Sequence, residues 1–384
     1  MTETLLAPAE PTATAKSTQR ILHVINGEHY SGAERVQDLL AQELPQFGFE
    51  VTFACVKPDR FPEARKSQAT QLFYTPMRNR FDWQCGRKLA ELIRQEDFAL
   101  VHAHTPRSLL AGTIAARLAD VPLVYHVHSP TGKDSTRWFQ NLVNERLEHF
   151  LLRRATRLIA VSPSLRELMV SQGFSPKRVA YIANGVPAIE ATARKRPSDC
   201  WTLGMAALFR PRKGIEVLLQ ALAILREAGH SVQLRAIGPF ETPAYEAEIR
   251  TLAERLGISD MITWTGFVSD IQNELSKVDL FILPSLFGEG MPMVVLEAMA
   301  AGLPVVASAV EGIPIAVQPG INGLLVEPSS AEALSDAIGE ILRSESPYDY
   351  EAFCQQASSR HRASFSALSM ASGVSEVYRE ILGD

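Results

Sequence analysis

Two glutamates stand eight positions apart in FGEGMPMVVLEAM (287–299), among glycines, methionines, a proline and apolar side chains. Glu289 lies between two glycines. Glu297 follows a run that predicts a helix beginning near Pro292, because proline suits a first helical turn. Glu297 would then lie about one and a half turns into a buried helix. A carboxylate is costly there unless its oxygens accept hydrogen bonds, and a vicinal diol offers the pair of donors that it needs.

The glycines of this loop leave its backbone open to a ligand. The N–H groups of Gly290 and Met291 can approach an anion or sugar hydroxyls closely, because glycine has no side chain to obstruct them. Taken singly, Glu297 could form a buried salt bridge or lie on an exposed helix face, and Glu289 could lie in a solvent-exposed loop. The combination of both carboxylates with the glycines and the proline favours a binding site.

A group of basic residues is concentrated in FRPRKG (209–214), between a predicted strand and a predicted helix. Arg210, Arg212 and Lys213 could form an ordinary solvated charge run. The chain carries a formal net charge of -5, however, so an anionic substrate must be met by local basic groups. Their position beyond a strand end favours phosphate binding. The absence of a P-loop, and of G-x-G-x-x-G after the first strand, argues against nucleoside triphosphatases and dinucleotide enzymes.

Histidines end two neighbouring predicted strands. His102 with His104, and His126 with His128, are H-x-H pairs whose members share one face of a strand and could each chelate a metal. No nearby cysteine or carboxylate completes such a site, so we expect no metal. The histidines could instead line a wet cleft as acids, bases or hydrogen-bond donors, or be structural residues.

The sequence SGAERV after the first predicted strand has the S-x-x-E spacing of a helix capping box, with Ser31 and Glu34 as its members. One interpretation is only a well-capped helix. The other is that Gly32 lets a phosphate or sugar approach the helix N-terminus, where free N–H groups favour an anion.

Short apolar strands alternate with amphipathic helices along the chain, a pattern typical of parallel sheets covered on both faces. The pattern occurs twice, and 384 residues are comfortable for two domains of about 150 to 200 residues. Residues 33–44 and 215–228 are predicted helices, and residues 188–199 form the predicted linker. The predicted strands are RILHVIN, FEVTFACV, FALVHAH, PLVYHVHS, TRLIAVS, RVAYIAN, CWTLGMAAL, SVQLRAIG, MITWTG, VDLFILPS and LPVVAS.

Composition bounds the class of protein. A hydrophobic content of 46% with 21% charged residues is that of a globular protein, and four scattered cysteines favour a reducing cytoplasm. The acidic balance argues against a nucleic-acid partner. Residues 291–310 are nearly all apolar, but Gly302 and Pro304 interrupt them, so we predict a helix followed by a buried strand rather than a membrane span.

Several motifs together resemble the large family 4 of retaining glycosyltransferases, which have the GT-B fold of two facing Rossmann-like domains. EGMPMVVLE resembles the E-x7-E signature of this family, and Lys213 with Gly214 resembles its K-G pair. The other matching stretches occur in the family's order from about residue 20 to beyond 330: SGAERV, VHAH, the strand ending at His128, IAVS, NGV and GLPVVAS.

The resemblance implies a role for each site residue. Glu297 would hold the ribose hydroxyls of a nucleotide-diphosphate sugar, and Glu289 would contact the donor sugar at the reacting face. Lys213 would neutralise the diphosphate, and His128 would lie beside the sugar on the acceptor side. The remaining donor-binding contacts would come from the backbone of Gly32, Gly290 and Met291, and from Val268 at the base.

One position departs from the family pattern. Many members carry an arginine a few residues before the lysine, where this chain has Leu208. Arg210, which has the same strand parity, is the candidate substitute for this arginine at the phosphates. The resemblance implies retention of anomeric configuration, with neither metal nor cofactor. A scaffold that binds nucleotide sugars without turnover and a GT-B epimerase are the alternatives.

The expected domain boundaries follow from the linker. Residues 1–19 would be a disordered tail, 20–190 the acceptor-side domain and 191–365 the nucleotide-sugar domain. Residues 366–384 would form a helix that crosses back to the first domain, as the resemblance suggests. The implied acceptor is a glycan or a lipid-linked saccharide. The basic, amphipathic segment 131–157 could simply pack on the sheet or could contact a membrane, which would place the protein at the inner membrane face.

Overall fold

A computed structural model describes residues 18–79, 81–128, 149–189 and 193–383. It contains two parallel sheets, of seven strands in the order β3-β2-β1-β4-β5-β6-β7 and of six in the order β10-β9-β8-β11-β12-β13. The strands are β1 Gln19–Ile25, β2 Phe49–Cys55, β3 Leu72–Tyr74, β4 Leu100–Ala103, β5 Leu123–Val127, β6 Arg157–Ala160, β7 Val179–Tyr181, β8 Trp201–Ala206, β9 Val232–Ile237, β10 Ile262–Gly266, β11 Leu280–Leu283, β12 Val305–Ser308 and β13 Gly323–Val326. The two predicted α/β domains are thus confirmed.

Helices connect the strands and cover the sheets. Those that we label are α1 Gly32–Glu43, α2 Phe61–Ala64, α3 Trp83–Gln95, α4 Pro106–Ala119, α5 Pro163–Ser171, α6 Ile215–Glu227, α7 Pro243–Arg255, α8 Ile271–Leu275, α9 Met293–Ala300, α10 Ile313–Ala316, α11 Ala331–Leu342, α12 Tyr350–Ser364 and α13 Ala367–Leu382. None of the helices in the described ranges is long and apolar enough to cross a membrane.

The central strands are continuous apolar runs because helices cover both of their faces. Every residue of β4, β5, β11 and β12 is buried, as expected for a parallel sheet. The stretch 291–310 forms α9 and then β12, as predicted. Pro292 is the N-cap of α9 rather than a residue of its first turn.

Polar side chains begin several of the helices just beyond the strand ends. Ser31 and Glu34 form the predicted capping box of α1. Thr105 caps α4 and Ser162 caps α5 by accepting a backbone hydrogen bond. These caps satisfy N–H groups that have no partner inside the helix. They place the helix starts, and the loops before them, along the carboxyl edge of the sheet.

The last helix, α13, packs on the first domain. Its Tyr378 is completely buried and hydrogen-bonds to His23 at 3.0 Å and to His102 at 2.6 Å. The chain reaches this position beside Val186, whose backbone N–H donates to Phe365 O at 3.0 Å. The α13 helix therefore contributes to the core beneath the carboxyl edge of the first sheet.

Some predicted boundaries concern residues beyond the described ranges. The tail prediction falls mainly on residues 1–17, which lie outside them, and Gln19 begins β1. Most of the segment 131–157 lies outside them as well, as do three residues of the predicted linker.

Candidate functional site

Glu289 lies in the loop after β11 and is only 5% exposed. Its Oε1 accepts a hydrogen bond from Ser285 Oγ at 2.7 Å and another from the Lys213 ammonium. Arg212 lies 3.8 Å from the same oxygen. The carboxylate is therefore a buried group held by two cations and a hydroxyl, and not the solvent-exposed loop residue of the alternative interpretation.

Gly214 allows Lys213 to reach this position. Its φ of 69° is in the left-handed region, and an added Cβ would overlap the carbonyl oxygen of Pro284 at the end of β11. Glycine is needed for both reasons. The 3₁₀ turn Pro211–Lys213 consequently packs against the β11 loop. Burial lowers the pKa of the Lys213 ammonium, and the charge of Glu289 opposes that shift.

The two nearby arginines differ in their contacts. Arg212 donates to the carbonyl of Gly288 at 2.9 Å, beside Glu289. Arg210 instead lies 3.6 Å from Glu241, while its buried Nε has no hydrogen-bond partner within the described part of the chain. Arg212 is thus closer to the carboxylate loop than Arg210, the arginine that the sequence favoured, although Arg210 retains an N–H group that a ligand could use. Leu208 is 45% exposed.

Glu297 lies on α9 and is only 5% exposed. Its Oε1 forms an ion pair with the guanidinium of Arg35 on α1. Arg35 belongs to the first domain, so this ion pair joins the two domains across the cleft. The second oxygen, Oε2, is buried and has no hydrogen-bond partner among the described residues. Such an oxygen needs a donor, because leaving a buried acceptor unpaired costs about 1 to 3 kcal/mol.

The backbone between the two glutamates touches the first domain. An added Cβ at Gly290 would overlap the carbonyl oxygen of His128. The carbonyl of Met291 accepts a hydrogen bond from Asn184 Nδ2 at 3.0 Å. Within the described ranges, neither Gly290 nor Met291 uses its backbone N–H in a hydrogen bond. Two donors beside Glu289 are therefore available to a ligand.

His128 follows β5 on the other side of this contact. It is half-buried, and its Nε2 lies 3.0 Å from His104 Nδ1, so one of the two nitrogens donates to the other. Burial lowers the pKa of His128 to about 4. The imidazole is therefore neutral near pH 7 and can donate through one nitrogen while accepting through the other.

The histidines of the first sheet form a buried group. Two trios offer nitrogens within 4.8 Å of one another: His23, His102 and His104, and His104, His126 and His128. The rings of the second trio lie within 15° to 34° of parallel. Both nitrogens of His126 lack a hydrogen-bond partner among the described residues. Burial lowers the pKa of each of these histidines, so they form a group of neutral imidazoles at pH 7.

The other predicted donor contacts lie around the cleft loops. Gly32 begins α1, and an added Cβ there would meet nothing within 4 Å, so the space above it is open. Val268, after β10, is half-buried, and its neighbour Phe267 is 80% exposed. The position above Gly32 has room for a ligand. No hydrogen bond or ion pair among the described residues joins Gly32 or Val268 to the two glutamates.

Three contacting residues were not singled out as site residues from the sequence: Arg35, Arg212 and Ser285. Arg35 stands in the SGAERV stretch and Arg212 in the basic cluster, so both were inside motifs that the sequence showed. Ser285 ends VDLFILPS. The partner of Arg35 is Glu297, 262 positions away. The partner of both Arg212 and Ser285 is Glu289, which lies 77 positions after Arg212 (289 − 212) and 4 after Ser285. Only Ser285 could have been connected to its partner by local spacing.

Comparisons with known proteins agree in both halves of the chain. Residues 30–188 match the family model Glycosyltransferase Family 4, and residues 189–360 match Glycosyl transferases group 1. A D-inositol 3-phosphate glycosyltransferase of Streptomyces scabiei is 30% identical over 315 residues, which are 76% of this chain and 70% of that protein. The UDP-Gal:alpha-D-GlcNAc-diphosphoundecaprenol alpha-1,3-galactosyltransferase of Escherichia coli is 26% identical over 83% of this chain and 87% of its own length.

Solved structures show the same architecture. Anabaena HepE in complex with UDP and glucose superposes with a TM-score of 0.81 and 22% identity, covering 94% of this chain and 100% of that one. Sucrose-phosphate synthase of Thermosynechococcus elongatus gives a TM-score of 0.79 with 22% identity over 95% and 99%. The fold and the family matches confirm the resemblance seen in the sequence: the chain belongs to the group 1, family 4 glycosyltransferases and has the GT-B fold.

Proposed function

We propose that this glycosyltransferase moves a hexose from a nucleotide-diphosphate sugar to a hydroxyl of a glycan or lipid-linked acceptor, with retention of configuration and without a metal ion. The observation that carries the proposal is the buried Oε2 of Glu297, which has no hydrogen-bond partner in the described part of the chain and lies eight residues beyond a second buried carboxylate bound by Lys213. A buried acceptor beside a buried cation fits a ligand with hydroxyl donors at one end and phosphates at the other.

The nucleotide end is assigned to Glu297. Its Oε1 is held by Arg35, which fixes the carboxylate, and its Oε2 is left for the hydroxyls of a ribose. Hydrogen bonds to a charged group contribute about 1.5 to 3 kcal/mol each. The base would then extend toward Val268, and the open space above Gly32 would admit the sugar or the phosphates.

The diphosphate is assigned to the cations beside Glu289. Lys213 and Arg212 carry positive charge. Among the described residues, the buried Nε–H of Arg210 and the N–H groups of Gly290 and Met291 have no hydrogen-bond partner. Charge that develops on the leaving phosphate can be stabilised by such fixed donors without reorganisation. In a site of this kind, protein cations take the part that a divalent metal plays in other transferases.

The transferred hexose is assigned to the face that Glu289 lines. The bond from the anomeric carbon to the diphosphate oxygen breaks, and the bond from the acceptor oxygen forms on the same face. The acceptor proton passes to the leaving phosphate oxygen, so atoms and charge balance. Glu289 is not assigned as a nucleophile, because its Oε1 is already occupied by Lys213 and Ser285 and a glycosidase-like pair would need both carboxylates at one bond.

His128 is assigned to the acceptor side of the hexose. The neutral imidazole is held by His104 at 3.0 Å, and its backbone carbonyl lies against Gly290, so it borders the loop that carries Glu289. A neutral imidazole can orient a sugar hydroxyl by one hydrogen bond, and positioning of this kind lowers the barrier without a change of mechanism.

The named relatives support the substrate classes. The complex of HepE contains UDP and glucose, and the E. coli relative is named for a UDP-sugar donor and a diphosphoundecaprenol-linked acceptor. These are statements about those proteins. For this chain they support the choice of a nucleotide sugar as donor and of a saccharide, free or lipid-linked, as acceptor.

The test is incubation with a panel of nucleotide sugars and mixed acceptors in the presence of EDTA, scored by release of free nucleoside diphosphate. We expect one or a few donors to react. A scaffold would bind a donor without any release, and an epimerase would change the sugar while leaving the nucleotide attached. Either result would contradict the proposal.

A further inference from the structure

A second basic site lies on the first domain, at a cavity of about 140 Å³. The residues that line it come from the loops after β2 and β3 and from the first turn of α4: Val56, Lys57, Met77, Arg78, Asn79 and Arg107. We call this the basic cavity. Three of its six residues are cations from three separate segments, in a chain whose formal net charge is -5. A local excess of positive charge in an acidic protein points to an anionic ligand.

Two carboxylates lie beside these cations but do not neutralise them fully. Glu28, in the loop after β1, pairs with Lys57 and lies 3.4 Å from Arg107. Its hydrogen bond with Lys57 lowers the pKa of Glu28, so the carboxylate is charged at neutral pH. Asp82 accepts the backbone N–H groups of Arg78 at 2.9 Å and of Gln84 at 3.0 Å, as the cap of α3.

The cations of the basic cavity are accessible. The side chains of Lys57 and Arg107 are 45% and 40% exposed although both contact Glu28, and Arg78 is exposed as well. Guanidinium groups bind phosphate through two parallel N–H bonds, and an ammonium adds a point charge. Two arginines and a lysine around a small cavity therefore match a phosphate group better than a single carboxylate.

The position of the basic cavity separates it from the donor. The cations assigned to the donor diphosphate, Lys213 and Arg212, belong to the second domain, whereas the cavity belongs to the first. In the sheet order, β4 is next to β5 and β2 is three strands away from it. β3, which precedes Arg78, is four strands away. Strands lie about 4.8 Å apart, so the segments that line the cavity are roughly 5 to 20 Å from the strand that ends at His128. A phosphorylated saccharide of one or a few sugar units covers that span.

We propose that the basic cavity binds a phosphate group of the acceptor, so that the enzyme glycosylates a phosphorylated saccharide. The inference rests on the proposed function and adds the class of acceptor to it. A sugar phosphomonoester and a lipid diphosphate-linked sugar present the same chemistry to the cavity. The acceptor hydroxyl would lie beside His128, on the phosphorylated residue or the next one.

The first experiment uses enzyme saturated with UDP, so that the donor phosphate site is filled. Binding of inorganic phosphate and of pyrophosphate is measured by ³¹P NMR for the wild type, Arg78→Gln, Arg107→Gln and their double variant. Arg226→Gln is the matched control, since Arg226 is 48% exposed and also pairs with a carboxylate, at 2.8 Å from Asp260, but lies in the second domain. We expect the double variant to lose at least about ten-fold in anion affinity, and the control to lose none.

Glu28→Gln gives a signature that a structural role would not produce. Removing this negative charge should tighten anion binding by about 2- to 10-fold, because the two cations that it holds become available. Loss of folding would instead lower every affinity, and thermal melting of each variant separates the two effects. Tighter binding of phosphate than of pyrophosphate identifies a phosphomonoester acceptor, and the reverse order identifies a diphosphate-linked one.

The second experiment uses the donor that the enzyme turns over, with a sugar 1-phosphate and its methyl glycoside as paired acceptors. Arg78→Gln and Arg107→Gln should raise the KM for the phosphorylated acceptor and leave the hydrolysis of donor by water unchanged. Equal use of both acceptors by the wild type, or anion binding that survives the double variant, overturns the inference. Failure to release nucleoside diphosphate from any donor would contradict the proposed function instead, so the two failures are distinct.

Discussion

Glu289 and Glu297 have the same side chain and the same 5% exposure, but their partners give them different chemistry. Glu289 is bound on one oxygen by Lys213 and Ser285, within the cationic loop. Glu297 is bound on one oxygen by Arg35, and its other oxygen has no donor within the described ranges. At the scale of single residues, Glu289 therefore belongs to a charged cluster, whereas Glu297 has one oxygen that can accept hydrogen bonds from hydroxyl groups of a ligand.

The first prediction follows from this separation. Glu297→Gln should raise the KM for the donor and weaken binding of the bare nucleoside diphosphate, because ribose contacts are equal in the ground and transition states. A loss of about 10-fold or more corresponds to one charge-assisted hydrogen bond of roughly 1.5 to 3 kcal/mol. Glu289→Gln should lower kcat and leave nucleotide affinity nearly intact, since contacts with the reacting sugar strengthen in the transition state.

Titration calorimetry with the nucleotide, together with steady-state kinetics, measures both variants. Glu246→Gln, on the surface helix α7, is the control for the removal of one negative charge. Glu246 forms an ion pair with Arg250 of the same helix at 2.7 Å, away from the two glutamates of the site. Equal losses of nucleotide affinity in the Glu289 and Glu297 variants would show that the two roles are wrongly divided.

At the scale of elements, glycines decide how closely the loops approach. Gly290→Ala would place a methyl group on the carbonyl oxygen of His128, a backbone atom that cannot move aside alone. We expect this variant to separate the two loops and to lower kcat by about 100-fold, since displacements of about 1 Å can have that effect. Gly32→Ala is the matched variant, because its added methyl meets nothing within 4 Å.

Thermal melting and kinetics distinguish the two glycine variants. Gly32→Ala should keep the wild-type melting temperature and change only the KM for donor, through contact with the ligand. A Gly290→Ala enzyme with unchanged kcat would contradict the close packing of the two loops.

The ion pair between Arg35 on α1 and Glu297 on α9 is a second contact between the two domains. Arg35→Met should leave Glu297 buried without its countercharge and weaken binding of the nucleoside diphosphate by about 5- to 30-fold, a coupling typical of linked sites. The effect should largely disappear in a Glu297→Gln background, because the two residues act together. Arg20→Met is a close control: Arg20 has the same 28% side-chain exposure and pairs with Glu96 at 3.0 Å, away from the cleft. A loss of equal size in the Glu297→Gln background would show that Arg35 acts on another group.

Most strands and helices could be predicted from the sequence, whereas most side-chain contacts of the site could not. The central strands β1 and β11 lie in continuous apolar stretches that carry a clear pattern, whereas β3 Leu72–Tyr74 and β13 Gly323–Val326 are edge strands that were not predicted. Lys213 and Glu289 were each singled out by local spacing. Their contact spans 76 residues, and it depends on tertiary packing that no local pattern encodes.

The position of Arg35 shows the same limit more strongly. Its partner lies 262 residues away in the other domain, so the pair exists only when both sheets have formed and face each other. Arg210 was favoured over Arg212 because of strand parity. Strand β8 ends at Ala206, and the 3₁₀ turn Pro211–Lys213 that follows directs Arg212 to the carboxylate loop. Alternation along a strand does not apply inside such a turn.

At the scale of the whole molecule, the buried histidines make the first domain sensitive to acid. Burial lowers the pKa of His23 to about 3 and the pKa values of His102 and His126 well below the ordinary value. In the unfolded chain these histidines bind protons near pH 6.5, whereas in the folded chain they remain neutral at that pH. Stability is full above pH 6.5 and falls as the pH drops, by up to about 1.4 kcal/mol per pH unit for each histidine.

Hydrogen exchange of β1, β4 and β5 amides, measured from pH 7 to pH 4.5 and corrected for the intrinsic exchange rate, tests this prediction. His126→Leu should flatten the dependence by about one proton, because neither nitrogen of His126 has a partner among the described residues and leucine has no charge to gain. A stability that does not change over this range would contradict the account of the histidines.

The central claim is that this enzyme transfers a hexose with retention and without a metal ion. The most direct measurement is proton NMR of the first product formed from the nucleotide sugar that reacts, in the presence of EDTA and before any mutarotation. The anomeric coupling constant reports the configuration, whether the acceptor is a sugar or, in its absence, water. We predict that an α-linked donor gives an α-linked or α-anomeric product at an undiminished rate in EDTA. A β product, or activity that returns only when a divalent cation is added, would contradict the account.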